Sequence, residues 1–177
     1  MFRNMKTATR LGLSFGIVVF MLIIISIVSL TKLSQIDAIV SDIIHDKYPK
    51  TDLANNVLNN VNIIARAIRN SILIDKKEEI QKENDRISEA RKKNSEYLEK
   101  LTAMTKSDEG KAHLKALMDA RVVYYSVQDE FTKLLADGKQ AEAKELLMTK
   151  MREAQSKFIA TIDEFVTFQE KQMGDIG

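Results

Sequence analysis

DARVVYYSVQDEF, residues 119–131, decides the fold because its apolar residues recur at the spacing of an α-helix. At 100° per residue, one stripe of this helix and its flanks collects Leu114, Leu117, Met118, Tyr125, Phe131 and Leu135. Arg121 falls in the middle of the stripe, and Gln128 lies on it too. A buried, unpaired charge is very unfavourable. The pattern therefore predicts an arginine that snorkels out or pairs with a neighbouring glutamate, or one whose partner is a ligand carboxylate.

The composition favours long helices. The 177 residues are 45% hydrophobic and 29% charged, which is typical of a folded chain with one core. One proline and six glycines leave little material for the turns of a sheet, so an all-α fold is predicted. Cysteine is absent, which excludes disulfides and thiol sites.

An apolar run near the start predicts a membrane anchor. LGLSFGIVVFMLIIISIVSL, residues 11–30, has no charge and matches a bilayer core of about 30 Å. A cleaved signal peptide is the alternative, but its apolar run is usually shorter and a small-residue cleavage site follows it. Arg3, Lys6 and Arg10 precede the run and only Lys32 follows closely. The positive-inside rule then predicts a cytoplasmic segment at 1–10, a transmembrane helix at 11–31, and the remainder outside a bacterial inner membrane.

Four further helices are predicted at about 32–75, 77–105, 108–136 and 140–174. Pro49 should kink or restart the first, while Ser107 or Asp108 should cap the third and Gly138 end it. Short connections make consecutive helices antiparallel neighbours. The fold class predicted is thus a membrane-anchored, up-down-up-down four-helix bundle over residues 32–177. Because the chain returns to the membrane end, a second anchor and an output domain are expected beyond residue 177.

Polar residues of several helices are predicted to converge in one segment of the bundle. Counted from the reversals near residues 75 and 137, Arg121 is level with Asn62 and Arg91, and Arg66 lies near Tyr125 and Gln128. The planar fork of arginine binds a carboxylate through two parallel hydrogen bonds, although acidic residues of adjacent helices could neutralise it equally well. The candidate ligand-binding residues are Asn62, Arg66, Arg69, Arg91, Arg121, Tyr124, Tyr125 and Gln128.

Other chemistries lack their residues. His45 and His113 complete no Glu-x-x-His pair, and the chain has no phosphate loop or C-x-x-C-H site. Its one G-x-S-x-G string, residues 12–16, lies inside the apolar run and not at a strand-to-helix turn, so it is not a serine nucleophile motif. No metal, cofactor or enzymatic activity is therefore predicted. After the basic start, the remaining basic residues nearly balance the 25 acidic ones, which gives no basic face for nucleic acid.

Several motifs carry a resemblance that covers essentially the whole chain. They are MKTATRLGLSFG at residues 5–16, the apolar run, Tyr48-Pro49, ARAIRN at residues 65–70, and Ala154-Gln155. In this order they resemble the four-helix-bundle sensor domain of methyl-accepting chemotaxis proteins. The resemblance implies a periplasmic domain that binds small amino or organic acids. It also implies a homodimer through the first helix and a displacement of the fourth helix that reaches a cytoplasmic kinase and adaptor through regions absent here.

The same resemblance bears on the ligand. Arg66 and Arg69 match the first-helix arginines that hold ligand carboxylates in aspartate-type receptors. The Arg121-x-x-Tyr124 pair resembles receptors for carboxylates of central metabolism. The fourth-helix tyrosine and threonine of the aspartate type have no match, so aspartate itself is not expected. A small di- or tricarboxylate is expected over an aromatic acid, because at least two arginine forks are available and an aromatic pocket would need more than two adjacent tyrosines. The alternatives are the sensor region of a histidine kinase or cyclase, and a ligand-free structural coiled coil anchored in the membrane.

Overall fold

A computed structural model describes residues 6–174, which fall into two compact units divided after Ile43. The first unit consists of helix α1, Thr7–Asp42, and none of its residues is buried. An 18-residue window in this region has a mean hydropathy of 2.9, so by length and composition it could cross a membrane. The predicted anchor at 11–31 lies within α1.

The second unit is an antiparallel bundle of four helices. A π-helical segment at Ile43–Lys47, the first π segment, precedes α2 at Tyr48–Leu73. α3 spans Lys77–Met104 and α4 spans Asp108–Ala136. The fourth helix of the bundle consists of α5 at Gln140–Leu146, a second π segment at Leu147–Met151, and α6 at Arg152–Gly174. α2 packs on α3 and α6, and α4 packs on α6 and α3, so consecutive helices form a ring. The predicted all-α, up-down-up-down class is confirmed.

The core of the bundle comes from apolar residues spaced three or four apart, which align on one face of each helix. On α2 this face includes Val57, Val61, Ile64 and Ile68, all buried. The fourth helix contributes buried aromatic rings that fill the centre. Beside Ile64 and Ile68, the large, fully buried apolar side chains of the core are Leu98, Leu101, Leu117, Phe131, Met151, Phe158, Ile162 and Phe165.

On α4 the buried face is rotated from the predicted one. Leu117, Ala120, Tyr124 and Gln128 are buried, whereas Arg121 is only half-buried at the edge of the seam. Tyr124 is fully buried, whereas the predicted stripe placed Tyr125 in the core. Leu114, Leu117, Gln128 and Phe131 of the predicted stripe are buried as expected, so the face is shifted by only part of a turn, toward Ala120 and Tyr124.

The helix ends follow their local signals. The Ser107 side chain accepts a hydrogen bond from the Gly110 amide at 3.2 Å and caps α4, as predicted. Gly138 has a φ of 74°, the left-handed conformation that glycine adopts freely after a helix. Pro49 lies in the first turn of α2, where a missing amide donor is tolerated.

A buried lysine lies at the start of α2. Lys50 is only 6% exposed and pairs with Asp46 at 2.7 Å, while Lys47 reaches the same carboxylate at 3.1 Å. Burial alone would raise the pKa of Asp46, but the hydrogen bonds from Lys50 and Lys47 outweigh it and hold that pKa below its usual value. The carboxylate therefore neutralises the least exposed ammonium group described in this bundle.

Candidate functional site

The structure places the eight candidate residues in two groups. Arg91 of α3 meets Arg121, Tyr124, Tyr125 and Gln128 of α4 in what we call the polar cluster. The other three, Asn62, Arg66 and Arg69, lie on α2, where Asn62 is half-buried and both arginines are exposed. The predicted approach of Arg66 to Tyr125 is not observed, because Arg66 points away from the core that Tyr125 borders.

Arg91 forms three hydrogen bonds within the protein. Its Nε donates to Gln128 Oε1 at 2.8 Å, its Nη2 donates to the Tyr125 carbonyl at 2.7 Å, and its Nη1 pairs with Asp129 Oδ1 at 2.7 Å. The guanidinium also lies over the Tyr125 ring, 4.4 Å from its centroid. Arg91 thus joins α3 to α4 through three of its five N–H groups.

The interior of the polar cluster contains polar atoms without hydrogen-bond partners. Tyr124 Oη, Gln128 Nε2 and Asn94 Oδ1 are buried and unpaired, as is Nε of the half-buried Arg121. Such atoms lose their hydration without compensation. Burial raises the pKa of Tyr124 strongly and that of Tyr125 as well, and the nearby Gln128 and Asn94 amides offset this only in part. Both phenols are therefore kept neutral.

Arg121 differs from Arg91 in having no acidic partner among residues 6–174. Its guanidinium carbon lies 5.8 Å from the centroid of the Tyr125 ring, a distant cation–π contact. Of the three explanations for an arginine on this seam, the ion pair with a neighbouring glutamate is not observed. Arg121 instead stands at the edge of the seam, next to the engaged Arg91.

A cleft of about 340 Å³ opens between α2 and the fourth helix. Arg69 lines it from α2, where its Nε donates to the Ala65 carbonyl at 3.0 Å and so fixes the direction of the fork. The fourth helix contributes a second arginine, an amide and a hydroxyl. These residues, with two apolar neighbours, are Leu147, Met148, Arg152, Gln155 and Ser156, and we call the whole the arginine cleft.

Two unpaired cations share the arginine cleft. Within the part of the chain that the structure describes, neither Arg69 nor Arg152 forms an ion pair. Two guanidinium groups beside one cavity repel each other unless an anion lies between them. Gln155 and Ser156 add groups that can donate to the oxygens of such an anion.

Sequence reasoning missed Arg152 and Ser156, and it quoted Gln155 only within a motif. The second π segment explains why these cleft residues were not predicted, because Leu147 and Met148 belong to it and Arg152 follows it directly. A π segment inserts an extra residue and so rotates the following side chains relative to an unbroken α-helix. The signal in the sequence is the gap of five between buried Leu146 and buried Met151.

Comparison with protein families gives a match over nearly the whole chain. Residues 4–176 match the model of the four-helix-bundle sensory module for signal transduction. The chain belongs to this family. The sensory module accounts for the bundle and for the chemoreceptor-type sequence pattern, and the predicted resemblance is confirmed. Comparison with curated proteins found no match.

Proposed function

We propose that this sensory module is the periplasmic sensor domain of a bacterial chemoreceptor and that it recognises a small di- or tricarboxylate in the arginine cleft. The observation that carries the proposal is the pair of unpaired guanidinium groups, Arg69 and Arg152, lining one cavity of about 340 Å³. A cavity of this size falls within the usual range for small-molecule sites. Each fork can hold one carboxylate in two parallel hydrogen bonds, so two forks favour a ligand with two acid groups.

The position of the cleft supports a signalling role. It lies between α2 and the fourth helix, and its fourth-helix residues surround the second π segment. A ligand that bridges the two arginines pulls these helices together at the point where the fourth helix has non-α geometry. The resulting displacement of the fourth helix is what a transmembrane receptor transmits to a cytoplasmic kinase and adaptor.

The outer face of α2 supports a homodimer. Asn59, Arg66 and Arg69 are exposed along it, at spacings of seven and three that keep them on one side of the helix. A second copy facing this stripe brings further arginines to the cleft, and a shared anion then links the two subunits. We expect the dimer fraction, measured by sedimentation, to rise with the carboxylate that binds and to stay constant with one that does not.

The direct test is calorimetric titration of the full chain in nanodiscs with succinate, malate and citrate. Arg69→Gln and Arg152→Gln are each expected to weaken the best-binding acid at least tenfold, because each removes a charge-assisted contact. Arg86→Gln is the matched control, since Arg86 pairs with Glu83 within α3 at 2.8 Å and does not line the cleft. If none of the acids binds, or if Arg86→Gln weakens binding as much as the cleft variants, the proposal is wrong. Absence of binding would favour the ligand-free structural reading.

A further inference from the structure

A second cavity, of about 440 Å³, lies at the end of the bundle where α2 turns into α3 and α4 turns into α5. Residues of all four bundle helices line it, and none of them also lines the arginine cleft. We call it the tip cavity. Its chemistry differs from that of the arginine cleft, because no arginine borders it.

Two side chains of opposite charge border the tip cavity. Asp75 lies in the connection between α2 and α3, and Lys77 is the first residue of α3. Across the described range 6–174, neither forms an ion pair, with each other or with a third residue. The adjacent Lys76 and Glu79 do pair, at 3.1 Å, and they do not line the cavity. One carboxylate and one ammonium group are thus left available at the same opening.

The remainder of the lining is apolar with oriented hydroxyl groups. Ile74, Ile80 and Leu135 are half-buried and provide an aliphatic surface. The hydroxyl groups of Ser71 and Thr132 donate to carbonyls of their own helices, at 2.9 and 3.0 Å. Because their hydrogens are used, these two oxygens of the cavity lining can take part in a further hydrogen bond only as acceptors, for example from an ammonium group.

We propose that the tip cavity binds a small aliphatic zwitterion, a molecule with one ammonium group, one carboxylate and an apolar carbon skeleton. Its ammonium group pairs with Asp75, its carboxylate pairs with Lys77, and its carbons pack on Ile74, Ile80 and Leu135. A molecule with only one of the charges leaves either Asp75 or Lys77 without a partner. The zwitterion site is separate from the proposed carboxylate function and does not depend on it.

The test is calorimetric titration of the full chain in nanodiscs with two zwitterions, L-leucine and 5-aminopentanoate, whose charges are adjacent in one and separated in the other. Two leucine analogues with a single charge, 4-methylpentanoate and 3-methylbutylamine, serve as matched ligands. At least one zwitterion is expected to bind, and both analogues are expected to bind at least tenfold more weakly. Absence of binding by both zwitterions, or equal binding by an analogue, would overturn the proposal.

Variants locate the site. Asp75→Asn and Lys77→Gln are each expected to weaken the zwitterion at least tenfold, whereas Lys76→Gln, which removes the paired neighbour, should leave its affinity unchanged. All three residues are exposed, and thermal melting checks that the bundle is intact. Arg69→Gln should weaken succinate or citrate and leave the zwitterion unaffected, so the two sites are tested separately. Zwitterion binding that survives Asp75→Asn and Lys77→Gln but is lost in Arg69→Gln would place the ligand in the arginine cleft and overturn the tip site.

Discussion

The guanidinium of Arg91 lies over the ring of Tyr125, 4.4 Å from its centroid, and donates to the carbonyl of the same residue. α3 and α4 are joined at this point by a side chain that also reaches Gln128 and Asp129. Arg91 therefore acts as a structural link between two helices, which sequence patterns alone did not distinguish from a ligand contact.

Arg91→Met is expected to lower the free energy of unfolding by about 2 to 3 kcal/mol, since it removes three hydrogen bonds, each worth about 1 kcal/mol, from a largely buried group. Urea denaturation at neutral pH measures the change. Lys93→Met on the same helix removes an exposed pair with Glu89 and should change stability much less. Equal effects of the two changes would contradict the structural role of Arg91.

Arg121→Met is expected to leave the unfolding free energy unchanged or to raise it by up to about 1 kcal/mol. The substitution removes a buried, unpaired Nε and strands no acidic partner in the described part of the chain. Urea denaturation beside Arg91→Met gives the comparison. A loss of several kcal/mol would mean that Arg121 has a structural partner.

Tyr124→Phe tests the alkaline limit of stability. The pKa of Tyr124 is higher in the folded state than in the unfolded chain, where it is about 10. The contribution of this pKa difference to the free energy of unfolding is therefore fully present below about pH 10. Stability is then lost as the pH rises above that value, because the unfolded chain releases the proton first. We expect the variant to be at least as stable as the original at pH 7, since its hydroxyl has no partner, and to lose less stability between pH 9 and about pH 11. Parallel urea curves at both pH values would show no such difference if the phenol were free to ionise.

Asp46→Asn tests the acid limit. The folded pKa of Asp46 is lowered, so its contribution to stability is present above the unfolded value, about 3.9, and is lost as the pH falls through the folded pKa. The variant should melt at a lower temperature than the original at pH 7, because Lys50 loses its partner. The difference should shrink as the pH falls through the lowered folded pKa, because the original carboxylate is then protonated as well. A difference that stays constant with pH would exclude the ion pair as its cause.

Most of the fold could be predicted from the sequence. The apolar spacing on α2, from Val57 to Ile68, and the turn signals at Ser107 and Gly138 define helices and reversals by local physics alone. The phase of α4 was less well determined, because Tyr124 and Tyr125 are chemically equivalent choices for the core. Both rings reach Phe158, with centroid distances of 5.9 Å for Tyr124 and 6.5 Å for Tyr125, and only Tyr124 is fully buried. Tertiary packing therefore decides which tyrosine enters the core.

The levels of side chains across the bundle could not be counted from the sequence. Arg91 was expected level with Arg121, and both guanidinium groups do lie near the Tyr125 ring, but the hydrogen bonds of Arg91 go to Tyr125, Gln128 and Asp129, one to two turns further along α4. α3 begins and α4 ends at the same end of the bundle. Arg91 lies about four turns from the start of α3, whereas Gln128, which it contacts, lies only about two turns from the end of α4, so the reversals near residues 75 and 137 are not at the same level. An error of this size changes which polar residues meet.

The second π segment also sets where a change in length can be absorbed. From Met151 onward the buried residues Ala154, Phe158, Ile162 and Phe165 keep spacings of three and four, so the fourth helix has a single phase break. Loss of one residue between 147 and 151 turns the π segment into an ordinary α-turn and leaves this phase intact, whereas the same loss at residue 160 would rotate Ile162 and Phe165 out of the core. The helix thus has one joint at which a residue can be removed without altering the face it presents to α2 and α4.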